Sequence, residues 1–255
     1  MKQNKFVVIV TCYNKAKWVG FNINSLKQQS YGNFIAIYGY DKSKDNTLDV
    51  IARNIEDDTR LILVHNKVQE SQLTNYFNCI DYLEQANLIS DEDIIVELDA
   101  DDWLLHPFVF QYLNQIYQDP SIWMTYGQYV HYPGGHTGGH FHLELDDEVD
   151  RLNNYRQATF PYSHLKTYKY HLLKKVPPES LINPETGKIF DITADFALCM
   201  PMVEMAGKKR IYRVEEPIYV YNVSEDANNE SQLRLHDQKH QEFLIRTRIK
   251  PCSRI

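Results

Sequence analysis

Asp91 to Leu105 reads DEDIIVELDADDWLL. Ile94, Ile95, Val96 and Leu98 make a short apolar run of the kind that forms a strand buried on both faces. The run stops abruptly in Asp99, Asp101 and Asp102. In an open α/β sheet the ligand crevice lies beyond the carboxyl ends of the strands, so these acids stand where charged chemistry is expected. Along an extended chain Asp99 and Asp101 point the same way and Asp102 points elsewhere. Two carboxylates held side by side repel, and a cation between them relieves the repulsion. Oxygen-only ligands suit a hard ion, Mg²⁺ or Mn²⁺, which keeps several waters and completes its shell with substrate phosphates. A bare D-x-D equally fits an acidic loop that caps the next helix, because Asp is favoured at helix starts. Context decides between them.

Upstream, Lys5 to Val10 (KFVVIV) is another apolar run, followed at once by Thr11, Cys12, Tyr13 and Asn14. Val19, Ile23 and Leu26 then fall at helical spacing, and the helix ends near Ser30-Tyr31-Gly32. Phe34 to Tyr38 (FIAIY) gives a second strand, closed by the turn Asp41-Lys42-Ser43-Lys44-Asp45-Asn46-Thr47. Leu48, Ile51 and Ile55 continue as a helix capped by Ser43 or Asp45. Arg60 to His65 (RLILVH) is a third strand, and Leu73, Phe77, Ile80 and Leu83 mark a longer helix. Strand and helix thus alternate up to the acidic strand, the pattern of a parallel sheet with right-handed crossovers.

Downstream, Val109, Leu113 and Ile116 mark a helix and Ile122 to Tyr132 a strand. Pro133 to Gly139 (PGGHTGG) is too glycine-rich for a regular element and is expected to form a loop. His131, His136, His140 and His142 lie around it at irregular spacing, more in keeping with loop residues than with a metal tract. The spacing predicts helices over Leu165 to Val176, Ile192 to Gly207 (with Pro201 inside) and Gln232 to Arg248, and a strand or hairpin over Arg210 to Val223.

Twenty-seven basic and 34 acidic residues leave a net charge of −7, mixed along the chain, which disfavours a nucleic-acid binder relying on a basic face. No apolar run approaches a membrane span and the N-terminus lacks a signal-peptide pattern, so a cytoplasmic protein is expected. Cys12, Cys79, Cys199 and Cys252 match no zinc or redox spacing and read as reduced and structural. No repeat or linker divides the 255 residues, so one domain is expected.

The order VVIVTCYN, SLKQQSY, YDKSKDNT, ELDADDWL resembles the nucleotide-sugar half of family 2 glycosyltransferases, over about the first 105 residues. Further on, MTYGQYVHYPGG, SHLKTYKYHLLKKV, TADFALCMPMVEMAG and EEPIYVYN extend the resemblance over most of the chain. It implies the GT-A fold, a Rossmann-like α/β architecture with a mostly parallel central sheet flanked by helices. Residues 1–105 would form the nucleotide-sugar half and residues 106–255 an elaborated acceptor half. It also implies an inverting, metal-dependent transferase with a nucleotide-diphosphate sugar donor, most often a UDP-sugar, and a hydroxyl acceptor on a glycan, lipid-linked glycan or protein.

Residue by residue, the resemblance places Thr11 against the nucleotide base and Asp41 at the base or ribose. Tyr40 stands where the family has a further acid. Asp99 and Asp101 match the D-x-D motif, with Asp101 the direct ligand of Mn²⁺ or Mg²⁺ and Asp99 at the ribose or the metal's waters; Asp102 would cap a helix. Asp195 matches the catalytic base, with Ala194 where the family often has Glu, and Glu204 is a weaker substitute. His236 lies where some GT-A enzymes place a late ligand, but a solvated helix face is the simpler reading. A sugar nucleotidyltransferase would want a glycine-rich loop after the first strand, whereas TCYNKAKW has no glycine. A silent nucleotide- or carbohydrate-binding module and a metal-dependent hydrolase remain as rivals, separable by donor turnover with and without acceptors.

Overall fold

β1 (Phe6–Cys12) is buried along nearly its whole length, as a central strand covered on both faces must be. The computed structural model describes residues 2–66, 68–138, 146–224 and 235–255. β1 is flanked by β2 (Phe34–Tyr40) and β4 (Ile94–Glu97), and β3 (Leu61–His65) lies beyond β2, all parallel. Helices α1 (Val19–Lys27), α2 (Thr47–Ile55) and α3 (Gln72–Gln85) make the crossovers. At the start of α2, Asp45 accepts the Thr47 amide at 3.1 Å. At the start of α3, Ser71 Oγ accepts the Thr74 amide.

The sheet continues past β4 in mixed orientation, and the order along it is β3-β2-β1-β4-β8-β6-β9-β5. β8 (Lys166–Lys169) runs antiparallel to β4, β6 (Met124–Tyr132) antiparallel to β8, and β9 (Ile211–Asn222) parallel to β6. β5 (Trp103–Leu104) closes the far edge against β9. α4 (Val109–Ile116), α5 (Asp147–Leu152), α6 (Tyr170–Leu173), α7 (Ala194–Ala206) and α8 (Leu235–Arg248) complete the helices among the described residues. Two apolar layers sandwich the sheet. One joins α3 and α7 to one face, the other joins α1, α2 and α4 to the opposite face.

Two sequence expectations are corrected. Leu165 to Val176 is not one helix: Lys166–Lys169 is a strand, followed by the single turn of α6. All four residues of KTYK are buried, which helical spacing could not foretell for two lysines. Within the glycine-rich loop, Thr137–Gly138 forms β7, paired with Tyr129 and Val130 of β6. Gly139 and the histidines at 140 and 142 lie outside the described residues.

One glycine fixes the approach of α3 to the sheet. A Cβ on Gly39 would come within 2.3 Å of Asn75 Oδ1 and 2.5 Å of Cys79 Sγ. Without it, buried Asn75 donates to the Gly39 carbonyl at 2.8 Å and the chain delivers Asp41 to the sheet's carboxyl edge. Among the described residues, no helix is long and apolar enough to cross a membrane. All four cysteines are free and buried.

Candidate active site

The carboxyl ends of β1, β2 and β4 open on a crevice of about 610 Å³. Thr11, Lys15, Asp41, Asp99 and Asp101 line it on the strand side, with Gln72 from α3 and Gln238 from α8. A second chamber of about 210 Å³ adjoins it. The two share Thr11, Gln72, Asp99 and Tyr221 as walls. Glu97, His164, Lys166 and Asp195 line only the second. Thr11, Asp41, Asp99, Asp101 and Asp195 therefore line two adjoining spaces, with Thr11 and Asp99 in the wall of both.

The acids do not continue a strand as expected. β4 ends at Glu97, and the Asp102 amide donates to the Asp99 carbonyl at 3.0 Å, closing a turn. Asn22 holds that turn from α1, donating to the carbonyls of Asp99 (2.9 Å) and Asp102 (2.8 Å). Asp102 caps no helix. Its buried carboxylate accepts the Tyr219 hydroxyl at 2.6 Å and the Asn222 amide at 2.7 Å, tying the turn to β9. The motif's third acid is thus a tether between the two halves of the sheet.

Asp99 and Asp101 face the crevice. Burial, and then the neighbouring Asp101 charge, pushes the Asp99 carboxyl up to about 6. Asp101 pairs with Lys15 Nζ at 2.6 Å. Burial disfavours the Lys15 ammonium, but Asp101 outweighs it and raises its pKa. Asp41 carries its carboxylate in the crevice wall, bonded by Asn66 Nδ2 at 2.6 Å, with burial raising its pKa. Tyr40 contributes to the shape of the turn instead, its hydroxyl accepting the Ser43 amide at 3.0 Å.

No group of three His, Cys, Asp or Glu side chains converges as a metal cage among the described residues. Two oxygen donors under mutual repulsion fit a hard divalent ion that takes its remaining ligands from water and a diphosphate. They do not fit a self-sufficient metal centre. The rings of His131 and His136 stack on each other at 4.2 Å and line neither chamber, and the His236 side chain is 98 % exposed at the start of α8.

The profile of glycosyl transferase family 2 matches residues 7–176 of the 255. The chain belongs to that family. It is a glycosyltransferase. Among curated proteins none matches the sequence. Solved structures place the chain in the GT-A fold. TarS residues 1–349 from S. aureus is 19% identical with a TM-score of 0.63, covering 95% of this chain and 71% of that one. A mannosyltransferase from Pyrobaculum calidifontis, solved with GDP-Man and Mn²⁺, is 17% identical with a TM-score of 0.64, covering 99% and 66%. Glucosyl-3-phosphoglycerate synthase from Mycobacterium tuberculosis, solved with Mn²⁺, UDP and glucosyl-3-phosphoglycerate, is 14% identical with a TM-score of 0.62, covering 97% and 81%.

The family 2 match ends before α7, so Asp195 stands on geometry. It occupies the first turn of α7, with Ala194 and Leu198 beside it in the second chamber. Its side chain is 55% exposed and its Oδ2 lies 3.7 Å from Lys166 Nζ. Glu204, nine residues along the same helix, is fully buried and bonded by Arg156 at 2.5 and 2.9 Å, out of reach of any substrate. Lys15, Glu97, His164 and Lys166 escaped the sequence reading. For Lys166 the signal was present in SHLKTYKYHLLKKV, but the segment read as a helix.

His164 stacks on Tyr219 and Tyr221, with ring centroids 4.9 and 5.4 Å away. Burial, reinforced by the Lys166 ammonium, pushes its imidazole down to about 3. Below the ordinary histidine value of about 6.5 the unfolded chain binds a proton that the folded chain refuses, so His164 removes stability as pH falls from there towards 3. Glu97 and Asp99, each pushed up to about 6 chiefly by burial, act with opposite sign between their ordinary values and 6. Comparison with His164→Phe isolates the histidine. Unfolding free energies from urea titrations between pH 6 and 4 should fall more steeply in the wild type, by at most about 1.4 kcal/mol per pH unit. Parallel curves would refute the assignment.

Proposed function

We propose that the chain is an inverting, metal-dependent glycosyltransferase that moves a sugar from a nucleotide-diphosphate donor to a hydroxyl acceptor. UDP is the first nucleotide to test, and the acceptor is a glycan, a lipid-linked glycan or a protein hydroxyl. One observation carries the reading: the crevice holding Asp99 and Asp101 adjoins the chamber that holds Asp195, and Thr11, Gln72, Asp99 and Tyr221 are walls of both. A donor lying across both spaces puts its diphosphate at the acids and its sugar before Asp195. We also propose residues 1–255 as a single domain, with residues 1–105 the nucleotide-sugar half and 106–255 the acceptor half. A sheet running through both halves supports this.

In this reading Thr11 and Asp41 meet the nucleoside, and Asp101, with Asp99, holds Mn²⁺ or Mg²⁺. The bound ion would stabilise the charge that grows on the leaving diphosphate. Lys15, now on Asp101, is placed to follow that charge onto a phosphate oxygen. Asp195 accepts the proton of the incoming hydroxyl as its oxygen bonds the anomeric carbon; the bond from that carbon to the phosphate oxygen breaks, and the nucleoside diphosphate leaves with the electron pair. Attack from the face opposite the leaving group gives inversion. Similar structures were solved with UDP, UDP-GlcNAc or GDP-Man, three of them with Mn²⁺, which supports this donor class.

The test is calorimetric titration of UDP, GDP and dTDP with and without Mn²⁺, on the wild type and on Asp101→Ala. One nucleotide should bind at least tenfold tighter with the metal, and that gain should vanish in Asp101→Ala. Because the site lacks a metal cage, Mn²⁺ alone should bind weakly. Nucleotide binding indifferent to both metal and Asp101 would sink the reading in favour of a silent binding module.

A further inference from the structure

Lys166 projects from β8 into the second chamber, its side chain 2% exposed. Its nearest carboxylate oxygens are Asp195 Oδ2 at 3.7 Å and Glu97 Oε2 at 3.8 Å, both beyond hydrogen-bonding distance. Among the described residues the ammonium, which carries three N–H donors, makes no hydrogen bond, and Lys166 lines the chamber. The attraction of Asp195 and Glu97 outweighs burial and keeps the ammonium charged, while its hydrogen-bonding capacity stays unused. Glu97 is fixed beside it, because its Oε1 accepts the Tyr168 hydroxyl at 2.6 Å and Tyr168 is bonded to Tyr76 at 2.6 Å. Facing this polar pair, Leu73, Ala194 and Leu198 form an apolar wall.

Such a chamber suits a pyranose, which carries hydroxyls at its rim and C–H groups on its face. Among the described residues three carboxylates, Glu97, Asp99 and Asp195, outnumber the one cation in the chamber wall, so an acidic sugar is disfavoured. We infer that Lys166 and Glu97 together grip two adjacent hydroxyls of a neutral donor sugar and so select the sugar transferred. Nζ–H donates to one hydroxyl oxygen, and Glu97 accepts from the next. The inference rests on the proposed placement of the nucleotide in the adjoining crevice.

The experiment compares the nucleotide that binds with its neutral hexose conjugates and its uronic acid conjugate, without acceptor, on the wild type and Lys166→Met. Free-nucleotide affinity serves as the folding control and should agree within twofold. The preferred neutral conjugate should bind the wild type at least tenfold tighter than the free nucleotide, and Lys166→Met should lose that advantage. A deoxy conjugate lacking the gripped hydroxyl should bind the wild type no better than Lys166→Met. Retention of the sugar advantage in Lys166→Met, or equal affinity for the uronic acid conjugate, overturns the inference while leaving the nucleotide site standing. Failure of every nucleotide to bind the wild type overturns the functional reading itself, and the inference with it. If Lys166→Met fails the folding control, Lys166→Arg replaces it. The broad planar head of arginine should reorder the conjugates, and an unchanged ranking is the contrary result.

Discussion

Asp195→Asn should lower kcat for sugar transfer by about 10² to 10⁴-fold while leaving nucleotide affinity within twofold. The substitution keeps the size of the side chain and removes the group that takes the acceptor's proton. Asp195 stands in the second chamber rather than in the crevice with Lys15, Asp41 and Asp101, so the nucleotide should not sense the change. Asp195 is half-exposed and Lys166 keeps Glu97 as a counter-charge, so the loss of stability should stay within about 1 kcal/mol. The measurement is single-turnover transfer from the conjugate identified by titration, alongside calorimetry. A variant that keeps more than a tenth of wild-type kcat would remove Asp195 from the chemistry. Glu204 could not inherit the role, because it is sealed beneath Arg156.

The first four parallel strands were legible because strands covered on both faces are written as unbroken apolar runs, such as FVVIV and IIV. The acidic end of the fourth led directly to Asp99 and Asp101 and the family resemblance to Thr11 and Asp41, and all four line the crevice. The other half of the sheet was harder for a definite physical reason. β8 buries two lysines, Lys166 at 2% and Lys169 at 7% exposure, and a charge in a buried strand contradicts the pattern by which strands are recognised. The missed strand therefore concealed Lys166, the one lysine or arginine lining the second chamber among the described residues. The role of Asp102 is hidden from the sequence for a similar reason. Its partners Tyr219 and Asn222 lie more than a hundred positions away, and a local rule offers a helix cap before it offers a distant tether.

Arg156→Met should destabilise the fold by about 3–5 kcal/mol, because it strands a carboxylate that has no water to turn to. Glu204 is fully buried, and both its oxygens are engaged: Oε1 and Oε2 accept Arg156 at 2.5 and 2.9 Å, and Oε2 also accepts the Cys252 amide at 2.8 Å. Arg156 in turn donates to the carbonyls of Ile245 (2.6 Å) and Ile249 (3.1 Å), at the end of α8. One ion pair thus joins α7, α8 and the chain after it. Breaking a buried pair on one side is costly mainly through the uncompensated charge, whereas replacing both partners by apolar side chains is often neutral. The double variant Arg156→Met/Glu204→Met should therefore recover most of the loss, limited by the carbonyls and the Cys252 amide left without partners. Urea denaturation of the two single variants and the double gives the coupling directly. Single-variant losses below about 1 kcal/mol would contradict the buried clamp. Since Asp195 sits at the other end of α7, the clamp fixes the helix that presents the proposed base. Activity of Arg156→Met should accordingly fall with loss of folded protein as urea is added, in contrast to Asp195→Asn, where activity is lost and the denaturation midpoint stays.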